Sequence, residues 1–361
     1  MKVSVIIKGL FIVLLLPACS ARISAIRPEG GPDGVEPSTP APLSSTTASV
    51  RSWTELGLSG RLVFLTSSAD GQKLMAFDAG SGALATLFVA PDYAWISDGS
   101  IAPDGGHMAM GYIPPPASVQ KAFASPGLYV MSLDGTGSPQ AFLQPADRNE
   151  AYSTPVWSPD GKAIYYSHLV SSASDDYAPH YTIERVTYPG GQPQVLVKDG
   201  LWPSLSPDGS KLAYLSLDPD TQATTLSLAD ADGTHAAPLL EADAFPIVDS
   251  HFFSPDGKQI IFSAVVDQPT SKRSVLEQLL GVGTASAHNV PSDWWRVSVS
   301  GGQAERLTYT SRAGLYGAFG PDGRYIGFVD STGLYVMTPD GSEILQLLDV
   351  PGSGIMAWVR K

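Results

Sequence analysis

SPDGKAIYYS, residues 158–167, decides the fold because the same phrase returns along the chain. It recurs as APDGGHMAM from Ala102, SPDGSKLAYLS from Ser206, SPDGKQIIFSA from Ser254 and GPDGRYIGFVD from Gly320. The turn pairs are Asp104-Gly105, Asp160-Gly161, Asp208-Gly209, Asp256-Gly257 and Asp322-Gly323, spaced by 56, 48, 48 and 66 residues. Proline presets φ at the first turn position, aspartate bonds its own downstream backbone, and glycine takes a positive φ. The flanking runs, Val156-Trp157 before the turn and Ile164-Tyr165-Tyr166 after it, read as paired strands.

Each unit then offers a third and a fourth strand. In the unit at Ser158 these are 181–188 and 192–197, joined by Pro189-Gly190-Gly191. Equivalent turns follow at Gly80-Ser81-Gly82, Asp134-Gly135, Asp232-Gly233, Gly301-Gly302 and Asp340-Gly341. Four antiparallel strands in a repeat of this length predict a propeller blade, and a blade must stack on neighbours to bury both faces. The ends set the count. GRLVFLT at 60–66 reads as a second strand without a first, and GIMAWV at 354–359 as a first strand without a second. Together they make a composite blade, so the expected fold is all-β, a six-bladed propeller closed non-covalently.

The repeated Ser-Pro-Asp-Gly phrase resembles the WD-like repeats of TolB-type propellers over about residues 60–361. The units at Ser158, Ser206 and Ser254 match best, while Ala102 and Gly320 replace the serine. The resemblance implies an interaction module; the repeated residues themselves build turns and carry no chemistry.

The single cysteine, Cys19, excludes an intramolecular disulfide and a thiolate cluster. It follows a charged start (Lys2, Lys8), an apolar run over 9–16 too short to span a bilayer, and Leu16-Pro17-Ala18. That tetrad resembles the bacterial lipobox. The resemblance implies a leader over 1–18, cleavage before Cys19 and acylation there, hence a membrane attachment through lipid. The expected location is the cell envelope, extracytoplasmic, and Ser20 after the cysteine points to the outer membrane in a Gram-negative lineage. Residues 19–50 are rich in Pro, Ser and Thr and read as a tether reaching roughly 30 Å as a coil. The propeller body occupies 51–361. Net charge is −13, and loss of the leader leaves the chain two units more negative. That balance excludes nucleic acid as a partner.

In a propeller the first-to-second and third-to-fourth turns share one face, here the turn face. Second-to-third loops and blade connections share the other, the loop face. The long stretches 112–126, 168–180 and 267–292 fall on the loop face, which makes it the candidate binding surface for an envelope protein, peptide or glycan. Within the last, 274–281 has the apolar spacing of a short helix. Pro114-Pro115-Pro116 gives a stiff segment. Residues expected at the axis are Trp95, Asp98, Tyr152, Thr154, Trp202, Asp249, His251 and Tyr316. Asp249 and His251, two apart on a strand, are expected on one side.

No catalytic residues, cofactor or metal site are assigned. The histidines show no ligand spacing, and no nucleophile elbow, phosphate loop or sialidase Asp box occurs. Asp230-Ala231-Asp232-Gly233 looks calcium-like, but His235 stands where such a loop needs glycine, so a strand turn is expected. The other class left open is an envelope hydrolase or sugar-acting enzyme with its site at the mouth of the central channel.

Overall fold

A computed structural model describes residues 53–116, 124–135, 137–171, 179–219, 221, 223–241, 244–265 and 290–360. Cys19, the leader, the tether and the 274–281 segment lie outside the described residues, as do parts of all three long loops.

Six four-stranded antiparallel sheets form the blades. Blade 1 is the composite: Met356–Val359 pairs antiparallel with Arg61–Ser68, followed by Gly71–Asp78 and Leu84–Val89. Blade 2 comprises Trp95–Ile101, His107–Ile113, Gly127–Ser132 and Gln140–Leu143. Blade 3 comprises Glu150–Trp157, Ala163–Val170, His180–Thr187 and Gln194–Lys198. Blade 4 comprises Gly200–Leu205, Lys211–Leu217, Thr224–Asp230 and Ala237–Pro238. Blade 5 comprises Ile247–Phe253, Gln259–Val265, Asp293–Ser298 and Glu305–Arg306. Blade 6 comprises Tyr316–Phe319, Ile326–Asp330, Gly333–Met337 and Ile344–Leu348.

The core lies between blades rather than at a centre. Six buried clusters fill the six blade interfaces, and strand alternation sends successive side chains to opposite neighbours. In blade 3, Ile164 and Tyr166 pack towards blade 2, whereas Ala163 and Tyr165 pack towards blade 4. The cluster between blades 6 and 1 joins Leu56, Leu58, Leu62 and Trp358 to Val329 and Val336, and the Trp358 indole donates to the Ser59 carbonyl at 2.8 Å. This is how the two chain ends close the ring without a covalent link.

The repeated turn is a hydrogen-bonded unit. Ser158 Oγ donates to Asp160 Oδ1 at 2.6 Å and accepts from the Ala163 amide at 2.9 Å, and Asp160 Oδ1 accepts from the Lys162 amide. Ser206–Asp208 and Ser254–Asp256 repeat the arrangement. The serine is the residue that ties the two strands across the turn. Asp104 and Asp322, without it, turn to His107 and Arg324 instead. Gly161, Gly209 and Gly257 all have φ near +70°, the conformation the phrase demands.

Candidate functional site

The first strands line the axis, and they are not regular. Register shifts interrupt blades 3, 4 and 5 at the same point, between Ser153 and Val156, Leu201 and Ser204, and Asp249 and Phe252, and blade 2 one residue earlier, between Ile96 and Asp98. At three of these bulges a non-glycine residue has positive φ: Thr154 at 48°, Trp202 at 55° and Ser250 at 45°. A β-branched and a bulky aromatic residue are strained there, so neighbouring groups must hold them. The amide of Thr154 donates to Asp98 Oδ1 at 2.6 Å, and that of Trp202 to Ser167 Oγ at 2.8 Å. Ser167 Oγ also bonds Thr154 Oγ1 at 2.7 Å, so one hydroxyl couples blades 3 and 4.

Asp98, Thr154, Trp202, Ser250 and Tyr316 each stand six residues before the aspartate of the turn that follows. The Tyr316 phenol is held well above its ordinary range by burial first, then by the charges of Asp249 and Asp98. Asp249 of blade 5 and Asp98 of blade 2 thus stand near enough to Tyr316 of blade 6 for their charges to bear on its phenol. His251 departs from them. The bulge at Ser250 breaks the alternation, so Asp249 acts on Tyr316 while His251 is buried beside the backbone of Trp202 and Ala213. The expectation that these two share a side does not hold, for that reason. Burial pushes the His251 pKa down to about 4, partly offset by those backbone groups. Tyr152 is 7% exposed and packs edge-on to Tyr166 in the interface of blades 2 and 3. Trp95 is 52% exposed at the loop-face end of its strand. Among the described residues no three His, Cys, Asp or Glu side chains are grouped to hold a metal. The Asp230–Gly233 segment is a strand turn, with Asp230 paired to Lys211 and His235 at 2.6 and 2.7 Å.

Sequence reasoning missed three buried polar networks. Glu184, in a strand centre, accepts from Tyr166 at 2.7 Å and Thr182 at 3.2 Å and bonds His168 Nδ1 at 2.8 Å. Burial alone would raise its carboxyl, but these partners outweigh burial and hold it low. Asp293 holds Arg306 at 2.7 Å and Thr308 at 2.9 Å, and Asp330 holds Arg312 at 2.6 Å and Thr332 at 2.6 Å. Both aspartates sit where strands meet the loop face, so they brace the connection between blades 5 and 6.

That face also collects exposed apolar side chains. Among the described residues Val89, Tyr93, Trp95, Val170 and Tyr309 lie there, against Leu84 and Val195 elsewhere. Tyr309, 76% exposed, lies under the Arg306 guanidinium at 4.4 Å. Tyr93 has φ +65° in the turn that the Ala94 amide closes onto the Pro91 carbonyl, a place suited to glycine. A depression of about 190 Å³ between Lys211, His235, Leu239 and Val299 lies at the rim, away from the axis.

A six-bladed propeller with strained, polar first strands and an aromatic loop face is the class of protein defined by these features. Its fold is that of the TolB-type propellers. TolB from Acinetobacter baumannii is similar over 87% of this chain and 69% of its own, at TM-score 0.59 and 17% identity. A chain of a nidogen–laminin complex matches 84% of this chain and 99% of its own, at TM-score 0.55 and 12% identity. An oligogalacturonate lyase in complex with manganese matches 80% and 73%, at TM-score 0.50 and 15% identity. No protein-family model and no curated protein sequence matches the chain. At these identities the likeness establishes the fold alone.

Proposed function

We propose that this chain is a lipid-anchored envelope propeller that acts as a non-catalytic binding module, taking a protein, peptide or glycan on its loop face. The observation that carries the reading is the concentration of exposed aromatic and aliphatic side chains on that face. The turn face, by contrast, is lined by aspartates that bond their own turns. The TolB and nidogen–laminin likenesses support a role in recognition.

A second reading, an envelope hydrolase or sugar-acting enzyme, draws on Asp98, Asp249 and Tyr316 at the axis and on the lyase likeness. Affinity capture of the lipoprotein after in-cell crosslinking separates the two. The binding reading expects the Tyr93→Ser/Trp95→Ala double variant to lose captured partner at least tenfold while Asp249→Asn retains it. Capture unchanged in the double variant and abolished in Asp249→Asn would move the site to the axis.

A further inference from the structure

Every blade ends on an outer strand whose backbone edge faces outwards, and such edges invite pairing with other chains. Five of the six are guarded. Gln140–Leu143 lies between Pro139 and Pro145, and Gln194–Lys198 follows Pro193 and ends in lysine. Ala237–Pro238 and Glu305–Arg306 are two residues long and carry a proline or charges, and Ile344–Leu348 is bracketed by Glu343 and Asp349. Blade 1 is the least guarded, with Pro91 beyond its outer strand and one bulge within it. Its outer strand, Leu84–Val89, has six residues, and no charge occurs from Ala79 to Pro91. Leu84, Ala85, Thr86 and Val89 are exposed.

We propose that this edge pairs with the same strand of a second copy, joining two blade 1 sheets into one eight-stranded antiparallel sheet across a two-fold axis. The side-chain arrangement fits that occupant. A register shift between Leu74 and Met75 leaves Leu87 as the extra residue, so Leu84, Thr86 and Val89 pair with Phe77, Met75 and Lys73 and share one side. Antiparallel self-pairing then sets the exposed Leu84 (41%) of each copy opposite the exposed Val89 (52%) of the other. The charge distribution agrees. Two mature molecules, each two units more negative than −13, repel one another, and the thirteen residues 79–91 that carry this strand hold no charge of their own. Edge pairing of six residues buries less than about 1,000 Å², so the dimer is weak and concentration-dependent.

The test is sedimentation velocity on the full mature chain in detergent, with amide exchange over 84–89, for wild type, Thr86→Lys and Gln140→Lys. Thr86 is exposed, so Thr86→Lys leaves the fold intact, as an unchanged thermal transition would show. Wild type should double its protein mass as concentration rises from about 1 to about 100 µM, with exchange over 84–89 slowing in step. Thr86→Lys should weaken dimerisation at least tenfold, and Gln140→Lys, on a guarded edge, should behave as wild type. A monomer throughout, a dimer indifferent to Thr86→Lys, or an edge that pairs only with a different protein would each overturn the proposal.

Discussion

Ser158, Ser206 and Ser254 are small residues that each tie a turn to the strand beyond it, and each hydrogen bond of this kind contributes about 1 kcal/mol. Their role is visible in the phrase itself, which is why the turns could be placed by spacing. His251 could not be read in this way. A histidine two positions from an aspartate suggests a pair, but the bulge at Ser250 sends the two apart. A hint was present in the neighbouring blades, where Thr154-Pro155 and Trp202-Pro203 place proline inside a first strand, a mark of a bulge. The buried imidazole has a testable consequence. Its folded pKa, about 4, lies below the unfolded value near 6.5, so the unfolded chain takes up a proton first. Stability that is present above pH 6.5 is therefore lost as pH falls towards 4, by roughly 3 kcal/mol if the whole shift is realised. Denaturant melts of wild type and His251→Met across pH 7 to 4 should show a steeper loss in wild type. Parallel curves would mean that the imidazole is solvated in the folded protein.

At the level of elements, strands and their partners followed from period-two patterning and turn chemistry, and the composite blade from two complementary halves. The networks around Glu184, Asp293 and Asp330 did not, because an isolated carboxylate on a strand reads as solvent-facing until its partners are placed. Blade 1 depends on Met356–Val359, whose Trp358 is 8% exposed and fills the interface with blade 6. Trp358→Ala should cost about 3–5 kcal/mol by opening a cavity at the seam. Exchange protection should fall first in 61–68 and 356–359, before blades 3 and 4 respond. Uniform loss over all six blades would instead show that the ring unfolds as one unit without a weak seam.

For the whole molecule, the division between faces is the feature that the repeats made legible. Tight turns gather on one face, while the loops and connections gather on the other. What the repeats left hidden is how the loop face is armed. Tyr93 in a strained turn, Trp95 at a strand end and Tyr309 under Arg306 are single aromatics in unlike contexts, with no spacing to link them. A photo-crosslinking residue placed in living cells at Tyr93, Trp95 and Tyr309, and at Asp160, Asp208 and Asp256 on the turn face, tests recognition through the loop face most directly. The account predicts a discrete partner adduct from the first three positions and none from the second three. Adducts from the turn face with none from Tyr93, Trp95 or Tyr309 would contradict it.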